Sequence, residues 1–218
     1  EFRFSAMYPG RIFTMAGRRY RYLENMSNGN HLIISDLVQS HNVSFVESFD
    51  RNVSWFASLD ERVREIVKPV RNFDPWSGPQ IRESSLTWGG GGRNNLPTNL
   101  EDFPEVANDV TVVDYSGTPR AFSLSLADMV RLSGPGRAFP NQGHRRQPNL
   151  ESGMSRGWWL RTRSNAGTMP GWSVFSPEFG FQAQLTSEAS ISNGDGGWHS
   201  PPHQTGTRPA LIIHQPTT

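Results

Sequence analysis

Apolar residues in this chain fall in short runs set between turn formers, and their spacing predicts the elements. "RIFTMAGRRYRYL" (11–23) alternates loosely through a glycine, as a hairpin would. "NGNHLIISD" (28–36) reads as a turn followed by a buried strand, Leu32 to Ile34. In "SLDERVREIV" (58–67) the apolar residues Leu59, Val63, Ile66 and Val67 recur at helical spacing. Ser58 with Glu61 forms a capping-box pattern there, and Pro69 ends the predicted helix. "SLADMVRLSG" (125–134) predicts a second short helix, with Ser125 as cap and Gly134 as terminator.

Between those elements the pattern breaks down. Residues 72–104 are mostly Gly, Pro, Asn and Ser around "TWGGGGRNNLP", and a long irregular stretch in a compact domain is usually functional or mobile. "DVTVVDYSGTPRAFSLSL" (109–126) predicts a strand, a turn and a second strand. The final third predicts "GWWLRT", "WSVFSPEFGFQAQL" (a possible hairpin) and "TRPALIIH", the last two separated by the turn-rich "SISNGDGGWHSPPHQTG". Strands do not alternate with long helices, so a doubly wound parallel sheet is disfavoured. The expectation is α+β: a loop-rich antiparallel sheet with two short helices. Residues 1–16 form an N-terminal extension or edge strand, and 17–218 a single domain.

Composition narrows the function classes. With 218 residues, 13 Phe, 7 Trp and a net charge of +1, the chain can bury a real core. Near-neutral charge without a basic stripe disfavours nucleic acid, and "GRRYRY" (17–22) and "GHRRQ" (143–147) read as solvated edges. Zero cysteines exclude a disulfide scaffold, a thiol nucleophile and Cys-ligated metal. No run approaches the ~18 apolar residues of a membrane span. The opening "EFRFSAMYPG" does not read as a signal peptide. All basic residues but Lys68 are arginine, a bias that a GC-rich genome also explains.

Five stretches occur in order over residues 17–214: "NGNHLIISD", "SLDERVREIV", "AFSLSLADM", "WWLRTRS" and "TRPALII". Together they resemble a family of bacterial domains of unknown function found in repeat-bearing and cell-surface proteins. That family is similar to a branch of the C-type-lectin-like fold, in the subtype seen in formylglycine-generating enzymes. Gly206 and Arg208 match the closing G-x-R of that subtype. The resemblance implies a ligand-displaying scaffold, in which Trp158, Trp159, Arg161, Gly206 and Arg208 are structural. A related scaffold serves as the variable protein of diversity-generating retroelements, which makes ligand variation plausible. The chain departs from the pattern at "RTRSNAGTMPG" and "WHSPPHQTG", two enlarged loops. Formylglycine-generating enzymes rely on active-site cysteines, so that activity is set aside here.

Each chemical motif has a plainer reading. Arg161 and Arg208 sit beside core-strand residues, where an unpaired guanidinium is costly, so they are expected to satisfy loop carbonyls or a carboxylate. "GMSRG" (153–157) matches G-x-S-x-G and the Ser–Asp–His order follows through Asp195, yet no buried strand precedes Ser155. His199 and His203 have a metal-ligand spacing, but Pro201 and Pro202 preclude an ordinary helix between them. "QPN" (147–149) lacks the partner motif of sugar-binding lectins, and Gly89 to Gly92 lacks the Lys of a P-loop. Aromatic residues in loops are the stronger signal, because such rings anchor interfaces at low entropic cost.

The sequence therefore predicts a non-enzymatic recognition domain without cofactor or metal. Its ligand is expected to be a protein or glycan at a cell or virion surface, outside the cell. The expected ligand-binding residues are Trp88, Arg163, Asn165, Trp172, Phe175, Trp198, His199 and Gln204, on the face built by loops 163–172 and 193–206. Two alternatives stand beside it: an enzyme, as a serine hydrolase through Ser155 or a metal-dependent catalyst through the histidines, and a structural module of a surface protein or filament.

Overall fold

The computed structural model describes residues 2–90, 96–145, 157–175 apart from 167 and 168, 184–186 and 205–216. Its architecture is α+β. A four-stranded antiparallel sheet is built from β1 (Ile12–Met15), β2 (Arg18–Ser27), β3 (Asn30–Ser35) and the C-terminal β11 (Ala210–His214), in that order. A five-stranded mixed sheet has the order β4 (Ser40–Val43), β10 (Thr205–Thr207), β7 (Gly157–Ala166), β8 (Met169–Phe175) and β9 (Gln184–Thr186). Its β10–β7 pair is parallel and the other pairs are antiparallel. A small antiparallel pair joins β5 (Pro69–Val70) to β6 (Thr118–Pro119).

The apolar runs of β3 and β11 are continuous because both faces of the first sheet are covered. Leu32, Ile34, Ala210 and Ile212 point into the larger core with Trp158, Leu160 and Trp172. Ile33, Leu211 and Ile213 point the other way, against Phe4, Phe13, Tyr20 and Trp55. Strand alternation thus feeds two cores from one run. The N-terminal segment belongs to the second core, and the Phe4 N–H donates to Gln215 Oε1 at 2.8 Å, tying the two ends of the described chain together.

Helix positions correct the sequence reading in three places. Residues 45–57 form α1 (Phe45–Ala57), which the pattern did not predict; its buried face is Phe45, Ser48, Asn52 and Trp55. Ser58 is the C-cap of α1 rather than an N-cap, and its hydroxyl donates to Trp55 O at 2.6 Å. The expected 58–67 helix shrinks to α2 (Glu61–Arg64), capped by Asp60, although Leu59, Val63 and Val67 are buried as the pattern requires. After α3 (Pro104–Ala107), residues 109–117 form no strand. Their polar groups go instead to the start of α4 (Leu126–Arg131): the Ser125 hydroxyl donates to Asp109 O at 2.5 Å and the Thr111 N–H to Asp128 Oδ1 at 2.8 Å. Among the described residues there are four α-helices and three sheets, not two helices and one sheet. Ser125 does cap α4, in a full capping box with Asp128.

Candidate functional site

Two buried arginines organise the irregular half of the molecule. Arg161, on β7, is 6 % exposed and lies 4.1 Å over the Phe73 ring. Its Nη1 donates to Thr111 Oγ1 (2.7 Å), Ser123 O (3.1 Å) and Asp128 Oδ2 (3.2 Å), and its Nη2 to Asp109 O (3.1 Å). Burial alone would push the Asp128 carboxyl up. The Arg161 charge, with hydrogen bonds from Thr111 and Ser125, overcomes that and holds it below the usual carboxylate range. The guanidinium therefore fastens the unpaired segment 109–111 and the cap of α4 to the mixed sheet.

Arg208 follows β10 and is fully buried. Its Nε donates to Ser35 O (2.7 Å), Nη2 to Asp36 O (2.9 Å) and Nη1 to Arg145 O (3.3 Å), with Asp36 Oδ1 at 3.8 Å. Burial pushes this guanidinium down, to about 9, so it is still charged at neutral pH. Neighbouring Gly206 pairs in parallel with Trp158, and its hydrogen faces Val38 and the Ser40 carbonyl too closely for any side chain. Trp158 and Trp159 are buried, and their indole N–H groups donate to Arg145 O (3.0 Å) and Val43 O (2.9 Å).

The expected ligand-binding residues divide. Trp172 is not a loop anchor: it lies within β8, wholly buried, and its indole donates to Ile81 O at 3.0 Å. A ring already enclosed by core has no face to offer a partner. Trp88 is half-buried and packs on Trp172 at 6.2 Å, which lays segment 79–88 against the mixed sheet. Arg163 is half-buried on β7; its Nη1 donates to Gly78 O at 3.1 Å, and its backbone bonds to Pro79 and Ile81. Phe175 ends β8 half-buried, opposite Gly157. Asn165 is on β7, and only its backbone is described. Trp198, His199, Gln204, Ser155 and His203 lie outside the described residues.

Beside these braces, Gly89, Leu96 and Thr98 line a pocket of about 370 Å³ together with residues of segment 133–145. Phe139 forms an apolar wall, and Leu96, Thr98 and Asn141 contribute to the lining. Gln142 Oε1 is buried there and meets no hydrogen-bond donor among the described residues. Arg145 also lines it, 2 % exposed, and burial pushes its guanidinium down to about 10. The carbonyl of Arg145 is the one that Arg208 and Trp158 both hold, so scaffold and pocket share a residue. Sequence reasoning treated 143–147 as a solvated edge; nothing in "GHRRQ" marks Arg145 as the buried member.

Comparison of the chain with protein-family models, curated proteins and solved structures finds no match.

Proposed function

We propose that this chain is a non-enzymatic recognition domain on a C-type-lectin-like scaffold, binding a protein or glycan at a cell or virion surface through its irregular loops. One observation carries the reading. The pocket lined by Gly89, Leu96, Thr98 and segment 133–145 is made of irregular structure, yet it is seated on a residue fixed by Arg208 and Trp158. Mobile loops lose entropy on binding, whereas loops held in place by buried hydrogen bonds meet a ligand already ordered. The scaffold assignment draws its support from the two signature stretches. "GWWLRT" and "TGTRPAL" lie side by side through the Gly206–Trp158 register, and the last strand returns to pair with β3.

The test is a glycan and surface-protein binding screen with the intact chain, repeated with Thr98→Ala and Gln142→Ala. A ligand whose binding weakens about tenfold or more in these variants, with folding intact, supports the reading. A ligand indifferent to both, or no ligand in either screen, rejects this face.

A further inference from the structure

A second pocket, of about 210 Å³, opens between α1, the segment Asn72–Pro75 and the segment Arg120–Ser123. It is separate in its lining from the loop pocket described above. At this volume it is smaller than the usual site of a drug-sized ligand and suits a single head group.

Its polar groups are unbalanced toward acceptors. Asn52 lines it, 3 % exposed, with Nδ2 donating to Ser123 Oγ at 3.0 Å. The other end of that amide, Oδ1, is buried and meets no donor among the described residues. Native structures rarely keep such an acceptor unanswered, and those that do generally reserve it for a water, an ion or a ligand. Two carboxylates, Asp50 and Asp74, stand in the same lining and are exposed. Asp74 gives Oδ1 to the Trp76 N–H at 2.7 Å.

Arg120 is the cation among the lining residues, and its donors are engaged by Thr118 and by Asn72, itself a lining residue. Nε and Nη2 donate to Thr118 Oγ1 (3.1 and 2.6 Å), and Nη1 donates to Asn72 Oδ1 (2.7 Å). The remaining walls are apolar: Phe49, Val53, Phe122 and Phe73. Phe73 is already flanked by the guanidiniums of Arg161 (4.1 Å) and Arg71 (4.5 Å). An acceptor-rich floor between apolar walls recognises donors at the end of a hydrocarbon stem.

We propose that this pocket binds a guanidinium or primary ammonium group carried on a short aliphatic chain. The head group donates to Asn52 Oδ1 and pairs with Asp50 and Asp74, while the stem lies along Phe49 and Val53. Such a group comes either from a small free amine or from an arginine or lysine side chain of a polypeptide. A neutral sugar ring would form no ion pair with the two carboxylates, and an anion would face them directly.

The experiment titrates the intact chain by two-dimensional NMR with agmatine, with a blocked Ala-Arg-Ala tripeptide, and with glucose and acetate as controls. Agmatine or the tripeptide is expected to shift the amides of 49–53 and 72–75, more weakly as salt rises. Binding by the tripeptide alone identifies a polypeptide source, and binding by both identifies the free head group as sufficient. Asp50→Asn and Asp74→Asn, at exposed positions, should fold normally and each weaken binding about tenfold. Asn52→Leu should abolish binding. If that variant does not fold, the two exposed variants still decide. Absence of shifts with both cationic probes, affinity unchanged in the Asp50→Asn, Asp74→Asn double variant, or preference for glucose or acetate overturns the proposal.

Discussion

The guanidinium of Arg208 lies 5.2 Å from the centroid of the Trp158 ring, and both side chains donate to the same carbonyl, that of Arg145. A residue after the parallel strand β10 and a residue of β7 thus converge on the loop between α4 and β7. Replacing Arg208 with Met should cost about 3–5 kcal/mol, because the carbonyls of Ser35 and Asp36 lose the donors Arg208 supplies inside the core and that of Arg145 keeps only the Trp158 indole. Arg208→Lys should recover little of this, since one ammonium cannot reach three carbonyls in a fork. Guanidinium chloride unfolding of both variants provides the measurement. Wild-type midpoints in Arg208→Met would show that the brace is dispensable.

Arg161 and Asp128 should behave as one unit. Asp128 accepts from Arg161, Thr111 and the Ser125 N–H, so removing either charge leaves the other with one weaker ion pair, Asp128 with Arg131 and Arg161 with Asp109, each at 3.3 Å. A double-mutant cycle with Arg161→Met and Asp128→Leu should give a coupling of about 2 kcal/mol. Because the Asp128 carboxyl is held below its ordinary value, its contribution is present above about pH 4 and lost as pH falls through the folded value. Additive single-variant losses would separate the two residues.

Gly206→Ala should be poorly tolerated. A Cβ there would lie 2.2 Å from Val38 Cγ1 and 2.7 Å from the Ser40 carbonyl, and the latter is backbone that cannot turn aside. The strands β4 and β7 flanking β10 would have to part, at a cost of about 2 kcal/mol. In a chain of this size that corresponds to a loss of about 5 °C in Tm. An unchanged melting temperature would mean that β10 has slack the geometry does not show.

The parts of the fold legible in the sequence are those where pattern and burial coincide. Leu32–Ile34, Trp158–Leu160 and the run at 210–213 are apolar because both sides are covered, and Ser125 with Asp128 marks a cap by chemistry alone. Helix α1 escaped because its inward face carries Ser48 and Asn52, polar residues buried for hydrogen bonds to Phe45 O and Ser123. Strand β4 escaped because Val43 is its one buried residue, and backbone pairing with β10 defines it instead. Trp172 resembled a loop aromatic because Gly171 and Ser173 flank it. Yet Gly171 is there to admit the Phe45 ring, 2.2 Å from where its Cβ would be. Neither pocket could be read from spacing, since Asp50, Asp74 and Arg120 come from separate segments that only the fold brings together.

Stability should fall on mild acidification, and the buried His31 contributes to this. Its ring is 1 % exposed, with Nδ1 2.7 Å from Tyr22 Oη and the Phe4 ring at 5.6 Å. Burial, and after it the nearby His214, push its pKa below the ordinary value; burial lowers His41 as well. The unfolded chain therefore binds protons that the folded chain refuses once pH drops below about 6.5. The contribution of neutral His31 is complete above that pH and declines as pH falls toward the lower folded value. Unfolding midpoints measured from about pH 7.5 to 5.5 should hold nearly level to about pH 6.5 and then decrease for the wild-type chain, less steeply for His31→Asn, which keeps a polar partner for Tyr22. Equal slopes for the two proteins would assign the acid sensitivity to another group.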